Sequence, residues 1–244
     1  MQKKKWSLLL GIILGMMMLT IPARAATNSA TFIFHDRTGS QRDETPLVTA
    51  TQKDGVKLSV LHAKVSAQGK VRLSGQLTKE TAPVIEVEQA RAKWHFKTMN
   101  LVGIGTGNMG LLNCLTRYAD AGQLPTLAKQ VAIAGPFNGT HIQPNADSKL
   151  MKNGRPYHMN MLYHELRGLK KTYPKSSAVL NIYGNRADHS DGTIANSSSR
   201  ALKYLVTPRA KSYQEQAVKG PRAGHDQLTR SPQVQTAVIK FLWK

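Results

Sequence analysis

The residues with the clearest chemical potential are the glycines of Gly103-Ile104-Gly105-Thr106-Gly107-Asn108-Met109-Gly110. They follow an apolar run and precede residues at helical spacing. Two chemistries use such a turn. Counted from Gly105, the run fits G-x-G-x-x-G, the pattern that cradles a dinucleotide pyrophosphate at a helix N-terminus. That site also wants an acidic residue about 20 positions on, at the end of the next strand, to hold the ribose. The corresponding residues here are Ala132-Ile133-Ala134-Gly135-Pro136, without an acid, so a dinucleotide is disfavoured. Counted from Gly103, the same residues fit G-x-S-x-G, a strand-to-helix turn that lifts its central side chain above a sheet. The central residue is then Gly105, which has no nucleophile, and Thr106 follows it with the backbone N–H that would face an oxyanion. The eight histidines show no metal-ligand spacing: His158 and His164 are six apart, and no H-E-x-x-H occurs. Neither a metal nor a cofactor is expected.

Elements of the right kind surround this turn. Thr31-Phe32-Ile33-Phe34 reads as a short buried strand running into a polar loop at His35-Asp36-Arg37. A weak helical stretch follows at residues 45–53. Residues 56–65 and 70–74 alternate apolar and polar around Ala67-Gln68-Gly69, as a hairpin does. Further strands are expected at 83–87, 99–102, 130–134 and 178–183, and helices at 111–121, 159–172 and 233–243. Strands alternating with helices imply a mostly parallel sheet with helices on both faces. Ligands of such sheets bind at the carboxyl ends of the strands, which points to the turns after Phe34, Val102, Ala134 and Tyr183.

The N-terminus reads as an export signal: Lys3-Lys4-Lys5, an apolar run from Trp6 to Ile21, and Ala23-Arg24-Ala25 as the cleavage pattern. Residues 26–244 are expected to form one domain. Cys114 is a single cysteine in an apolar stretch, so it has no internal disulfide partner and is expected to be buried and inert. The net charge of +20 falls to +16 without Lys3, Lys4, Lys5 and Arg24. Outside the cell such charge points either to anionic wall polymers or a membrane surface, or to a merely solvated surface, rather than to nucleic acid.

Several motifs in order give a more specific resemblance. Residues 100–109, Asn-Leu-Val-Gly-Ile-Gly-Thr-Gly-Asn-Met, resemble the N-L-V-G-H-S-M-G-N-M elbow of exported α/β-hydrolases from lactic acid bacteria and their relatives, often labelled cell surface hydrolases. Val131-Ala132-Ile133-Ala134-Gly135-Pro136-Phe137-Asn138-Gly139, Asn181-Ile182-Tyr183-Gly184, Ser190-Asp191-Gly192, residues 198–205 and the terminal Ile239-Lys240-Phe241-Leu242-Trp243 are similar to that family as well. The resemblance implies an α/β-hydrolase fold and ancestral serine carboxylic-ester hydrolysis of a small ester or lipid-like substrate. It implies a nucleophile position at Gly105, an acid at Asp191 with Asp188 as its competitor, and a base at His225. The oxyanion positions it implies are Thr106 and the loop at His35-Asp36, where the family has H-G. An acid at Asp36 disfavours a negative transition state. Without a serine, activity is expected to be impaired, and a non-catalytic binding protein for anionic wall or lipid ligands is the alternative. Only about ten residues separate the strand ending near Val87 from the one starting at Met99, where the family has a full helix. A parallel crossover usually takes a dozen or more, so a shortened crossover is expected, with either a bared sheet face or a local rearrangement.

Overall fold

The computed structural model describes residues 29–35, 44–65, 71–76, 82–88, 96–118, 124–143 and 146–244. The expected signal segment, Asp36 and the tip of the expected hairpin lie outside these residues. The elements run β1 (Ser29–Phe34), α1 (Thr45–Lys53), β2 (Leu58–Val65), β3 (Val71–Gly75), β4 (Ala82–Glu88), β5 (Thr98–Ile104), α2 (Gly107–Tyr118), β6 (Thr126–Ile133), α3 (Met161–Leu166), α4 (Leu169–Thr172), β7 (Ala178–Gly184), α5 (Asn196–Arg200), α6 (Leu202–Val206), β8 (Ser212–Val218), a 3-10 turn (His225–Arg230) and α7 (Pro232–Trp243).

One eight-stranded sheet has the order β3-β2-β4-β1-β5-β6-β7-β8. Every described pairing is parallel except β2 with β3, the expected hairpin. Successive side chains of a strand leave on opposite faces, and the core divides accordingly. Phe32, Leu101 and Ala132 pack with α2, α3, α4 and α6 on one side. Ile33, Val102, Val131 and Ile133 pack with α1 and α7 on the other. Each fully buried side chain of this size contributes roughly 1.5–3 kcal/mol, so both faces hold the strands in register.

The structure corrects the sequence reading at several places, the unexpected helices α5 and α6 among them. The helix expected from residue 111 begins at Gly107, inside the glycine run. The single helix expected over 159–172 is two short ones, because Arg167 caps α3 and α4 restarts after Gly168. Strand β8 was not foreseen. The face beside the short crossover is not bare: Phe32, Leu61 and Ile85 are buried, and Phe96 stands edge-on to Phe32 at 6.4 Å between centroids. Strand β1 lies between β4 and β5 and pairs with both; the crossover residues 89–95 lie outside the described residues.

Candidate active site

Strand β5 ends at Ile104 and α2 begins at Gly107, so only Gly105 and Thr106 make the turn. Gly105 has φ +52°, in the left-handed region open to glycine. Its N–H donates to the Ile133 carbonyl at 2.9 Å, and its carbonyl accepts from the Asn108 N–H at 3.2 Å. Nδ2 of buried Asn108 donates to the same Gly105 carbonyl (3.0 Å) and to Ile133 (3.1 Å). One side chain thus ties the turn to the end of β6. Gly107 is required for another reason: a Cβ there would collide with the carbonyl oxygens of Phe34 and His35. The chain leaving β1 therefore lies directly against the turn. Gly105 is buried and Thr106 half-buried.

A second constellation stands at the ends of β7 and β8. His225 Nδ1 lies 2.8 Å from Asp191 Oδ2. The other carboxylate oxygen of Asp191 accepts from the Thr193 N–H (2.9 Å) and the Ile194 N–H (2.7 Å). The two residues are also joined through the main chain, the His225 N–H donating to the Asp191 carbonyl at 2.9 Å. Asp191 is 3 % exposed. A buried carboxylate needs such partners, and they fix its orientation toward the imidazole. Asp188 is exposed. Its Oδ1 accepts from the Ser190 N–H at 3.2 Å in an Asx turn, and the hydrogen bonding at Ser190 holds its carboxyl below the ordinary value.

Asp191 and His225 are thus brought together, and Asp188 is not part of that pair. Gly105 and Thr106 occupy the same carboxyl edge of the sheet, at the end of β5, with β6 between them and β7. The arrangement can orient an imidazole and stabilise its protonated form. Gly105 offers no side-chain atom for the imidazole to deprotonate. Among the described residues, no group of three or more His, Cys, Asp or Glu side chains is placed to hold a metal ion.

The chain as a whole has counterparts among known proteins. The family model described as "Alpha/beta hydrolase of unknown function (DUF915)" matches residues 87–244. The chain belongs to this DUF915 family. The match begins at the end of β4 and takes in the turn, the acid and the histidine. A gene product of Listeria innocua of known structure is 24 % identical, with 88 % of this chain and 94 % of that one covered and a TM-score of 0.75. A Lactobacillus plantarum protein named as a candidate cell surface hydrolase is 21 % identical, with 87 % and 89 % covered and a TM-score of 0.64. Both likenesses establish the α/β-hydrolase fold. No curated protein sequence matches the chain.

Sequence reasoning missed the residues that support the site of this DUF915 chain. Asn108 is one. Ser198 is another: its hydroxyl donates to the Gly139 carbonyl at 2.7 Å and accepts from the Asn138 N–H at 3.0 Å. Ser199 donates to the Gly135 carbonyl at 3.0 Å, and its own carbonyl accepts from Asn181 at 2.9 Å. The motifs at 135–139, 181–184 and 198–199 are therefore one hydrogen-bonded unit behind the strand ends. Their polar residues beside apolar runs were the available signal.

Proposed function

We propose that this chain is an exported member of the family that assembles the acid and base of a serine carboxylic-ester hydrolase around a nucleophile position held by Gly105. Ester turnover is weak or absent for that reason. The observation that carries this reading is the contact of half-buried His225 with buried Asp191 on the same sheet edge as the Gly105 turn. With a serine at 105, its hydroxyl would attack an ester carbonyl while His225 accepted the proton and Asp191 stabilised the imidazolium. The Thr106 N–H would donate to the developing oxyanion. The glycine removes the attacking atom and leaves the other parts. In subtilisin, a worked case of this chemistry, deleting the serine costs about a factor of 10⁶ in kcat.

The test compares the unmodified protein, Gly105→Ser and Gly105→Ser/His225→Ala on short-chain nitrophenyl esters. Turnover is expected in Gly105→Ser at roughly 10³-fold or more above the unmodified chain, and its loss in the double variant. Robust turnover by the unmodified protein that survives His225→Ala would overturn the assignment. Export is part of the same reading. The basic, apolar and small-residue succession of residues 3–25 supports it, as does the cell-surface role named for the Lactobacillus plantarum relative. N-terminal sequencing of protein recovered outside the cell is expected to begin at Ala26.

A further inference from the structure

Among the described residues five large apolar side chains are exposed, and four of them fall between residues 142 and 161. These are Ile142 (94 %), Met151 (36 %), Tyr157 (60 %) and Met161 (69 %). The concentration has a local structural cause. Residues 149–157 double back as a short ribbon: the Tyr157 N–H donates to the Lys149 carbonyl (2.9 Å), and the Met151 N–H to the Arg155 carbonyl (2.8 Å). Leu150 pairs antiparallel with Pro156. Alternate side chains of such a ribbon leave on opposite sides. Pro156 is buried and Leu150 packs against the core, whereas Lys149, Met151, Arg155 and Tyr157 are all exposed. The outer face therefore carries two cations, a thioether and a phenol, with Lys152 at the tip. The base of the ribbon is firmly mounted. His158 N–H donates to Ser148 Oγ (2.8 Å), Asn138 Nδ2 to the His158 carbonyl (3.1 Å), and Asn160 N–H to Asn138 Oδ1 (3.0 Å).

The charge along this segment has one sign. Residues 148–164 contain no carboxylate; the nearest in sequence are Asp147 and Glu165, both exposed. The ribbon tip rests on α6, where a Cβ on Gly154 would come within 2.8 Å of Lys203 Cβ and 3.2 Å of the Tyr204 nitrogen. Lys170 Nζ lies 3.8 Å over the Tyr204 ring. The Tyr204 phenol is pulled below its ordinary value, first by its hydrogen bond with Lys170 and then by the charges of Lys170, Arg155 and Arg167. Cations from the ribbon, from the end of α3 and from α4 thus converge on Tyr204, whose backbone lies against the ribbon tip.

We infer that the outer face of residues 149–157 docks on an anionic phospholipid surface, with Lys149, Lys152 and Arg155 at the headgroup phosphates and Met151 and Tyr157 in the interface beneath. A soluble polyanion would engage the cations alone and leave the apolar side chains in water. A bilayer interface takes both, since tyrosine settles at headgroup level and basic residues are drawn to anionic lipid. This surface does not depend on what occupies position 105.

The full chain itself provides the means of testing this. Cys114 is buried and its thiol is pushed up to about 12 by that burial, so in Tyr157→Cys the introduced thiol is the reactive one. An environment-sensitive fluorophore at 157 reads the ribbon directly, whatever residues 6–21 contribute to vesicle binding. Phosphatidylglycerol-containing vesicles are expected to blue-shift it, and pure phosphatidylcholine vesicles to leave it unchanged. The same label at Lys240→Cys, on α7 at the opposite sheet face, should stay aqueous. Each cation is worth roughly fivefold at such a surface, so Lys149→Gln/Lys152→Gln/Arg155→Gln should raise the lipid required about a hundredfold. A label at Met161→Cys is the substitute where Tyr157→Cys does not fold. An equal shift with pure phosphatidylcholine, an equal shift at 240, an unaffected triple variant, or the same shift with soluble polyphosphate would each overturn the proposal.

Discussion

The acid–base corner and the glycine turn sit on the same edge of the same sheet, yet they differ in what holds them. At the corner the functional groups are themselves structural. The Asp191 carboxylate accepts two backbone N–H groups and meets His225 at 2.8 Å, so the groups that would do chemistry also satisfy a buried loop. At the turn the structure is held by main chain and by Asn108, and the side chain at 105 takes no part. Loss of a reactive atom, as proposed for position 105, would therefore leave the fold intact at the turn, whereas a loss at the corner would not. A site assembled in this way would lose chemistry first where chemistry and stability are separate.

The sharpest way to break that comparison is Asp191→Asn in a Gly105→Ser chain. The amide would face His225 Nδ1 in the wrong sense, and ester turnover is expected to fall by about 10⁴, the size seen when the triad aspartate of trypsin is replaced by asparagine. Asp188→Asn, at the exposed Asx turn, is expected to change turnover less than about twofold; the reverse ranking in kcat would move the acid to Asp188. Stability is the next measure. A Cβ on Gly184 would collide with the Ala223 carbonyl oxygen and come within 2.8 Å of Asp191 Cβ. Gly184→Ala is expected to cost about 3 kcal/mol in urea unfolding, and a loss under about 1 kcal/mol would show that the corner gives way easily.

Asn108→Ala tests the turn. It leaves the Gly105 and Ile133 carbonyls without a side-chain donor, at about 1–3 kcal/mol, read by the same unfolding curves. The smallest effect near neutral pH concerns Cys114, farther along α2. Its thiol is raised from 9.0 to about 12 by burial. The unfolded chain releases this proton at lower pH than the folded one does, so the contribution to stability is complete below about pH 9 and is lost as pH climbs toward 12. Native protein at pH 8 should resist a thiol reagent that modifies the unfolded chain at once.

Much of this architecture was legible because β5, β6 and β7 are buried on both faces and read as near-continuous apolar runs. Strand β8 was not, because Ser212–Val218 is an edge strand of mostly polar residues. Its order comes instead from pairing with β7 and from contacts such as Arg200 to Glu215 at 3.0 Å. The ribbon at 149–157 was passed over inside a polar segment, although Asn153-Gly154 between alternating residues is a turn signal. Asp191 and His225 had no periodicity to reveal them, since each is a lone loop residue; chain order and family resemblance placed them. The break between α3 and α4 was missed because the apolar spacing continues across Arg167-Gly168 and so does the helical backbone conformation; only the hydrogen bonding tightens, the Arg167 N–H donating to the His164 carbonyl at 3.3 Å.

The φ of +52° at Gly105 bears on how such a position changes over generations. Any L-residue held in that region is strained by roughly 1–2 kcal/mol relative to glycine. A serine at 105 would have to be kept against that gradient by the benefit of its chemistry. Once that benefit lapses, selection for a stable chain runs toward glycine, and the return step runs uphill. On the proposed reading the turn would act as a ratchet: easily emptied of its nucleophile, and refilled only under demand for turnover.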